Sequence, residues 1–238
     1  MMATPPLTPA LVTLHIWGVP TGEIASATTA MARDRTALRR TAGLTFSKLL
    51  GTGSGHTFTV RDADPHHWAM LCCWSDPESA RRFDNSPVVR RWDSRSEERA
   101  QITMRPLTSR GAWSKRQPFG APISPRWNGP IAAITRARIK PRHWPTFWRA
   151  VPPVSLDLRR HDGLQLAIGI GEAPVGLQGT FSLWRDSKAL TDFAQRGEAH
   201  QEVVRRTAEI GWYAEELFAR FAVLDLVGHY RGAAIATM

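Results

Sequence analysis

The chain has few cysteines, no long apolar run and no leader-like start. Its only two cysteines, Cys72 and Cys73, are adjacent in a Met-Leu-Cys-Cys-Trp run, which argues against a disulfide and favours a buried strand with structural thiols. No run of about 18 apolar residues is present, so no membrane-spanning helix is expected. The first ten residues lack the basic and apolar regions of a signal peptide. We therefore expect a cytoplasmic protein, with contact at the periphery of a membrane left open.

Lysine is also scarce, because only four of the 31 basic residues are lysines. The formal net charge is +10, which raises the question of nucleic-acid binding. The arginines are spread along the chain, however, and never exceed two in a row, so we expect no nucleic-acid partner. Arginines can instead pair with the carboxylates of a buried anionic cofactor or with anionic lipid.

The chain contains one pattern of elements twice. Each half reads β-α-β-β-α-β, which is the ferredoxin-like order. The segments Trp74–Phe83 and Trp184–Phe193 both run from Trp to Phe over ten positions, with Asp third, and each follows a strand-like run and opens a helix. This predicts an α+β protein in which two ferredoxin-like repeats, residues 9–108 and 131–232, pack as an intrachain dimeric α/β barrel. A Pro/Gly/Trp-rich linker, residues 109–130, joins them.

Several local assignments accompany this pattern. The glycine-rich Gly51–Phe58 lacks the features of a phosphate-binding loop and is interpreted as a tight turn. His66 and His67 are adjacent at the start of a strand, so they point to opposite faces and do not share a metal. Leu156–Arg160 is predicted as a strand, and Ser187–Arg220 as helical. Within that helical region, Glu215 and Glu216 are expected to face solvent.

His200 is the most informative single residue. It follows a break at Gly197 and shares a helical face with Val203, Val204 and Thr207, so its imidazole is expected to point inward. An inward histidine needs a hydrogen-bond partner or a metal. Taken alone, it is more often a packed core residue than a ligand. The equivalent position in the first half is Arg90, so a structural need common to both repeats does not explain it.

Three segments resemble one family. They are GTGSGHTF (Gly51–Phe58), RGAWSKRQPF (Arg110–Phe119) and, after Ala199-His200, TAEIGWYAEELFARFAVLDLVG (Thr207–Gly228). Together they resemble the spheroidene monooxygenases, the acyclic carotenoid 2-ketolases, over roughly residues 11–232. The N-terminal extension and the segment Arg61–His67 depart from that pattern, which leaves the substrate open.

The resemblance implies a haem-dependent monooxygenase that inserts oxygen into an apolar substrate such as a carotenoid. Haem b would be the cofactor, and dioxygen and an electron donor the co-reactants. In haem proteins of this barrel type the axial histidine lies on the second helix of the repeat, often after alanine, so His200 becomes the predicted iron ligand. An arginine is predicted to hold a haem propionate, and the candidates are Arg136 or Arg138 on a strand and Arg205 near the histidine.

Two other functions are compatible with the same residues. The first is a redox-neutral haem enzyme, such as an aldoxime-dehydratase-like lyase. The second is a non-catalytic ferredoxin-like binding protein in which His200 is merely packed. A requirement for reductant separates the first from a monooxygenase, and a colourless protein would indicate the second.

Overall fold

The computed structural model describes residues 7–54, 56, 62–122, 126–143, 146, 155–172, 179–196, 205, 210–211 and 213–235. The strands are β1 Leu11–Gly18, β2 Leu44–Gly53, β3 Ala63–Trp74, β4 Glu98–Gly111, β5 Ile131–Ile139, β6 Leu164–Gly171, β7 Gly179–Trp184, β8 Tyr213–Tyr230 and β9 Ala233–Ala234. The helices are α1 Ile24–Arg39, α2 Pro77–Asp84, α3 Pro87–Asp93 and α4 Ser187–Arg196, and residues 155–159 are also helical.

The sheet closes on itself through eight antiparallel strands. Its order is β4-β1-β3-β2-β6-β7-β5-β8, and β8 pairs with β4 to complete the circle. Four consecutive positions in this order come from each half of the chain. The two halves meet at β2–β6, over Gly51–Gly53, and at the much longer β4–β8 pair. The predicted α+β fold, with two ferredoxin-like repeats forming an intrachain α/β barrel, is therefore confirmed.

Alternation along the strands divides the apolar residues between the inside and the outside of the closed sheet. On β1, Val12, Leu14 and Ile16 belong to the interior cluster, whereas Trp17 belongs to a cluster beneath α1, α2 and α3. A third cluster lies under α4, where Ala189 and Leu190 pack against β5, β7 and β8. The barrel therefore has one filled interior and an outer layer on each half.

The internal repeat extends to single contacts. Asp76 caps α2 by accepting the Ser79 N–H at 2.7 Å, and Asp186 accepts the Ala189 N–H at 2.8 Å. A Cβ on Gly163 would lie 2.2 Å from Ala189 Cβ, so a glycine is needed where the chain passes the helix. Gly43 holds the equivalent place against Ser79, with a positive φ of 76°.

The segment after β4 is part of the core. β4 continues to Gly111, past the predicted repeat boundary at residue 108. Beyond it, Trp113 and Phe119 enter the interior cluster, where Phe119 contacts Phe221 at a ring distance of 4.8 Å. Residues 112–122 therefore cover one opening of the barrel.

The predicted helix over Ser187–Arg220 is wrong at its C-terminal end. α4 ends at Arg196, and β8 begins at Tyr213. Every second residue of β8 from Leu217 to Phe221 points into the interior, as in a strand. The strand forms instead of a helix because β4 and β5 pair with β8 on its two edges. Glu215 lies on the same face, so the expectation that it faces solvent is also wrong.

Two further assignments are corrected. Residues 155–159 form a helix rather than the predicted strand, and Leu158 packs on the cluster under α4. The helical segment after β3 is divided into α2 and α3, because Ser86 caps a new helix that has Pro87 in its first turn. Gly51–Gly53, interpreted as a turn, forms the end of β2.

The two cysteines are fully buried on β3, and neither forms a disulfide. Burial raises the pKa of the Cys72 thiol, so it stays protonated and packs as an apolar group. The prediction of structural thiols agrees with this placement. No helix among the described residues is long and apolar enough to span a membrane.

Candidate active site

Two of the segments on which the family resemblance rests meet at one end of the barrel. Arg110 and Gly111 on β4 pair with Phe218 and Leu217 on β8. The Arg110 guanidinium stacks over the Phe218 ring at 4.6 Å. Gly111 has a φ of 88°, and a Cβ there would lie 2.2 Å from the Glu216 carbonyl oxygen. The glycine of this Arg-Gly pair is therefore required by the close contact between β4 and β8.

A tight turn follows, and Glu215 holds it. Ser114 and Lys115 have φ values of 54° and 60°, in the left-handed region that non-glycine residues rarely occupy. Both backbone N–H groups donate to the Glu215 carboxylate, at 2.9 and 2.8 Å. The carboxylate satisfies two otherwise unpaired donors and stabilises a turn that costs about 1–2 kcal/mol per left-handed residue.

Arg136 lies beneath this turn. Its side chain is 4% exposed, and its two terminal nitrogens donate to Glu215 at 2.6 Å and to Glu172 at 2.8 Å. Its guanidinium also lies 5.1 Å from the centre of the Trp113 ring. A buried cation needs compensating charge, and two carboxylates supply it here.

Glu172 joins Arg136 to the first half of the chain. It accepts the Trp113 indole N–H at 2.6 Å and forms an ion pair with Lys48 of β2. Lys48 also donates to the Ser114 hydroxyl at 2.6 Å. We call the five side chains Lys48, Trp113, Arg136, Glu172 and Glu215 the Arg136 network.

The surroundings of the two carboxylates in the Arg136 network favour their ionised forms. Burial alone would raise the pKa of Glu215, but the Lys115 and Ser114 N–H groups and the Arg136 guanidinium lower it to about 2. Hydrogen bonds from Lys48 and Trp113 likewise outweigh burial and lower the pKa of Glu172. Both carboxylates stay ionised at neutral pH and have no role as general acids. The network therefore anchors the turn rather than transferring protons.

A second charged cluster closes the opposite end of β8. His67 Nδ1 lies 2.8 Å from Asp64, and its Nε2 lies 2.7 Å from Glu98. The imidazole contacts the Tyr230 ring edge-on at 5.0 Å, and Arg231 forms an ion pair with Asp64 at 2.8 Å. Burial lowers the pKa of His67, but the two carboxylates raise it overall. His66 points away, to the Val19 carbonyl, so the two histidines share no site, as predicted.

The predicted cofactor residues are only partly brought together. Arg136 and Arg138 both reach Glu215, the latter at 3.4 Å. They lie on the interior face of β5, whereas α4 packs on the opposite face. Arg205 is exposed in a helical position. His200 lies outside the described residues, so its role as iron ligand stays a prediction. No group of three metal-ligating side chains occurs in the part of the chain that the structure describes.

Arg90, which occupies the position equivalent to His200, is exposed on α3. Its guanidinium donates to the Asn85 carbonyl at 2.7 Å. The side chain therefore points away from the sheet, so the first half has no group in the place where an inward histidine is predicted in the second.

The outer faces of the two half-sheets differ sharply in side-chain size. The register aligns β1 with β5, β3 with β7 and β2 with β6. At equivalent positions the first half presents His15, Trp17, Leu49, Met70 and Cys72 to its helices, and the second presents Thr135, Ala137, Gly169, Thr180 and Ser182. We call this second set the small-residue floor.

The large residues fill the first half. Trp17 stacks between His15, at a ring distance of 5.4 Å, and Trp92 of α3, at 5.2 Å. Burial lowers the pKa of His15 to about 3, so this histidine packs as a neutral ring. In the second half the corresponding volume is not taken up by side chains of the sheet, and Thr135 is exposed. Among the residues that the structure describes, the outer face of the sheet therefore carries smaller side chains in the second half than in the first.

Sequence reasoning missed Lys48, Trp113, Glu172 and Glu215. Two signals were available. Arg136 lies on the same face of its strand as the buried residues Ala132 and Ile134. A charged side chain on the buried face of a strand needs a partner of opposite charge. Glu215 has the same parity as Leu217 and Ala219, which becomes visible only when the segment is read as a strand.

Comparison with known proteins identifies relatives over about four fifths of the chain. No protein-family model matches the chain. The spheroidene monooxygenase of Cereibacter sphaeroides is 35% identical over 190 residues, which is 79% of this chain and 58% of that protein. Those of Rhodobacter capsulatus and Rubrivivax gelatinosus are 36% and 34% identical, and the matches cover 78% and 73% of their lengths.

Solved structures with the same fold include two of aldoxime dehydratase, one in complex with butyraldoxime. They align with TM-scores of 0.52 and 0.56, at 13% and 12% identity, and cover 90% and 92% of this chain and 80% and 84% of those chains. At this identity the likeness concerns the fold alone. The sequence matches, by contrast, extend over four fifths of the chain at more than 30% identity. The chain belongs to the spheroidene monooxygenase family.

Proposed function

We propose that this protein is a haem-dependent monooxygenase that inserts oxygen into an apolar polyene, with His200 as the axial ligand of haem b. The observation that carries the proposal is the identity of 34–36% to three spheroidene monooxygenases. Monooxygenation consumes one dioxygen, two electrons and two protons, and releases the second oxygen atom as water. An external electron donor is therefore part of the proposal.

The small-residue floor supports the location of the cofactor. A haem group is a broad, flat molecule, and it needs a face from which large side chains are missing. The first half fills this volume with Trp17 and His15, and the second has Ala137 and Thr135 there. His200 follows α4 in the sequence, and α4 packs on this face of β5. Haem bound here would supply the activation of dioxygen.

The chain's own residues would bind and shield the cofactor. Phe218 and Arg220 lie on the same outer face of β8, beside Thr135 and Ala133, and both are half-buried. Phe218 offers an apolar contact that excludes water, and Arg220 a donor for an anionic group. Of the three predicted propionate partners, Arg136 and Arg138 lie on the interior face and contact Glu215, so neither faces the small-residue floor.

The absorption spectrum of the purified protein tests the ligand. We expect a Soret band in the wild type after haem addition, and its loss or shift in His200→Ala. His229→Ala, which removes an exposed histidine of β8, is the matched control and should keep the wild-type spectrum. A wild type without a Soret band, or a His200→Ala variant with an unaltered one, contradicts the proposal.

A second measurement tests the reaction. Reduced and non-reduced protein are incubated with an acyclic carotenoid under labelled dioxygen, and we expect label in the product only with reductant. Turnover without reductant would indicate redox-neutral haem chemistry instead. A colourless protein whose stability does not respond to haem would indicate a binding protein.

A further inference from the structure

A basic cleft lies at the end of the barrel that holds the Arg136 network, on the side of the first half. It is formed by α1, β2 and the turn after β4, and its volume is about 640 Å³. This is within the range of small-molecule sites, about 300–1,000 Å³. Four cationic side chains line it, Arg35, Arg39, Lys48 and Arg116.

The charge of the cleft is not balanced by its own residues. Glu172 is the only carboxylate among the residues that line it, and it already accepts from Lys48, Trp113 and Arg136. Arg35 and Arg39 lie one helical turn apart on α1 and are both exposed. Asp34, their neighbour in sequence, is turned away from them and accepts from Trp92 at 3.1 Å. An anion from outside the chain would complete the charge balance.

Several donors are already held in place. The Arg116 guanidinium donates to the Thr45 carbonyl at 3.1 Å and lies over the Phe46 ring at 5.7 Å. Lys48 is held between Glu172 and the Ser114 hydroxyl, at the end of the cleft next to the turn. Donors fixed in this way lose little conformational freedom when a ligand binds.

The remaining wall of the cleft is apolar. It consists of Leu38, Leu44, Phe46 and Leu49, and Phe46 packs edge-on against Trp113 at 5.8 Å. A site with a ring of cations above an apolar wall suits a ligand with an anionic head and a less polar body. Guanidinium groups match the oxygens of a phosphate in pairs, and several cations can share its charge.

We propose that this cleft binds a phosphate group, carried by an anionic phospholipid or by a small soluble molecule. The site is separate from the small-residue floor and uses none of the residues proposed to hold haem. Phosphate binding and the proposed activity can therefore each fail without affecting the other.

The experiment compares two variants that each remove two positive charges. Arg39→Gln/Arg116→Gln removes cations of the cleft. Arg105→Gln/Arg126→Gln removes exposed arginines elsewhere and leaves the same net charge. The probes are inorganic pyrophosphate, followed by calorimetry, and phosphatidylcholine vesicles with and without phosphatidylglycerol, followed by flotation. A second cleft variant, Arg35→Gln/Arg39→Gln, alters only exposed residues of α1 and guards against misfolding.

We expect wild type and control to bind at least one probe. Both cleft variants should bind that probe at least about tenfold more weakly. Binding of pyrophosphate without preference among vesicles identifies a soluble phosphate as the ligand. Binding of phosphatidylglycerol vesicles alone identifies a lipid headgroup. The proposal is overturned if neither probe binds, or if the control loses as much affinity as the cleft variants, since net charge would then explain the binding.

Discussion

At the scale of single residues, the Arg136 network places a buried cation between acidic partners. Arg136 is buried between two carboxylates that come from distant parts of the sequence, Glu172 and Glu215. Replacing a whole buried ion pair can be neutral, but removing one partner leaves the other charge uncompensated. Individual members of the network are therefore more sensitive to substitution than their number of hydrogen bonds suggests.

Glu215→Gln tests this sensitivity. The amide keeps one acceptor for the turn but removes the negative charge beside Arg136, and Glu172 compensates only in part. We expect the free energy of unfolding to fall by about 2–3 kcal/mol. Glu216→Gln, on the opposite face of β8, should change it by less than about 0.5 kcal/mol. Denaturant titration measures both, and equal effects would contradict the assignment.

His67 makes the stability of the protein depend on pH. Its pKa is raised by Asp64 and Glu98 in the folded state, so folding favours the imidazolium. The resulting stabilisation is complete below the unfolded pKa of about 6.5 and is lost as pH rises through the folded value. We expect the unfolding free energy of the wild type to fall as the pH rises above about 6.5. His67→Gln should flatten this decline, whereas His229→Gln should not; equal slopes in all three would refute the pairing.

At the scale of elements, the segment from Tyr213 to Arg220 shows why part of the site could not be predicted. Its apolar residues satisfy a helical period as well as a strand period, and only the pairing of β8 with two neighbours decides between them. The strands β1, β3, β5 and β7 were predictable because each is a short apolar run with a clear end. The ion pair between Arg136 and Glu215 depends on which residues of β5 and β8 lie side by side. A single sequence does not reveal this register.

Gly163, which lies beneath α4, allows a test of how this helix packs on the sheet. A Cβ on Gly163 would meet Ala189 Cβ at 2.2 Å, so Gly163→Ala must push the helix away from the sheet. We expect a loss of about 1–3 kcal/mol of unfolding free energy. Gly22→Ala is the matched control, because no atom lies within 4 Å of the added carbon. Adding Ala189→Gly to Gly163→Ala should recover part of the loss, and no recovery would show that the contact is not its cause.

At the scale of the whole molecule, the repeat was visible in the sequence and predicts the barrel correctly. The ten-residue match between Trp74–Phe83 and Trp184–Phe193 corresponds to the same strand, the same aspartate cap and the same first turn of helix. In the sequence, the asymmetry between the halves was visible only because Arg90 in the first half corresponds to His200 in the second. The difference between Trp17 and Ala137 requires the strand register, because the two residues lie in otherwise dissimilar runs.

Ala137→Trp tests that asymmetry by giving the second half the side chain found in the first. If haem lies on the small-residue floor, the indole occupies its volume, and we expect haem affinity to fall at least about tenfold in a folded protein. Ala137→Ser adds only a hydroxyl and should bind haem nearly as the wild type does. A folded Ala137→Trp variant with wild-type affinity would place the cofactor elsewhere.

Closure of the barrel within one polypeptide also has an evolutionary consequence. In a symmetric pair of identical subunits, every substitution appears twice, so making room on one outer face makes room on both and weakens both cores. Here β2 joins β6 and β4 joins β8 inside a single chain, and the two halves accept substitutions separately. One half could keep its tryptophans and secure the fold, while the other lost bulk and became free to acquire a ligand.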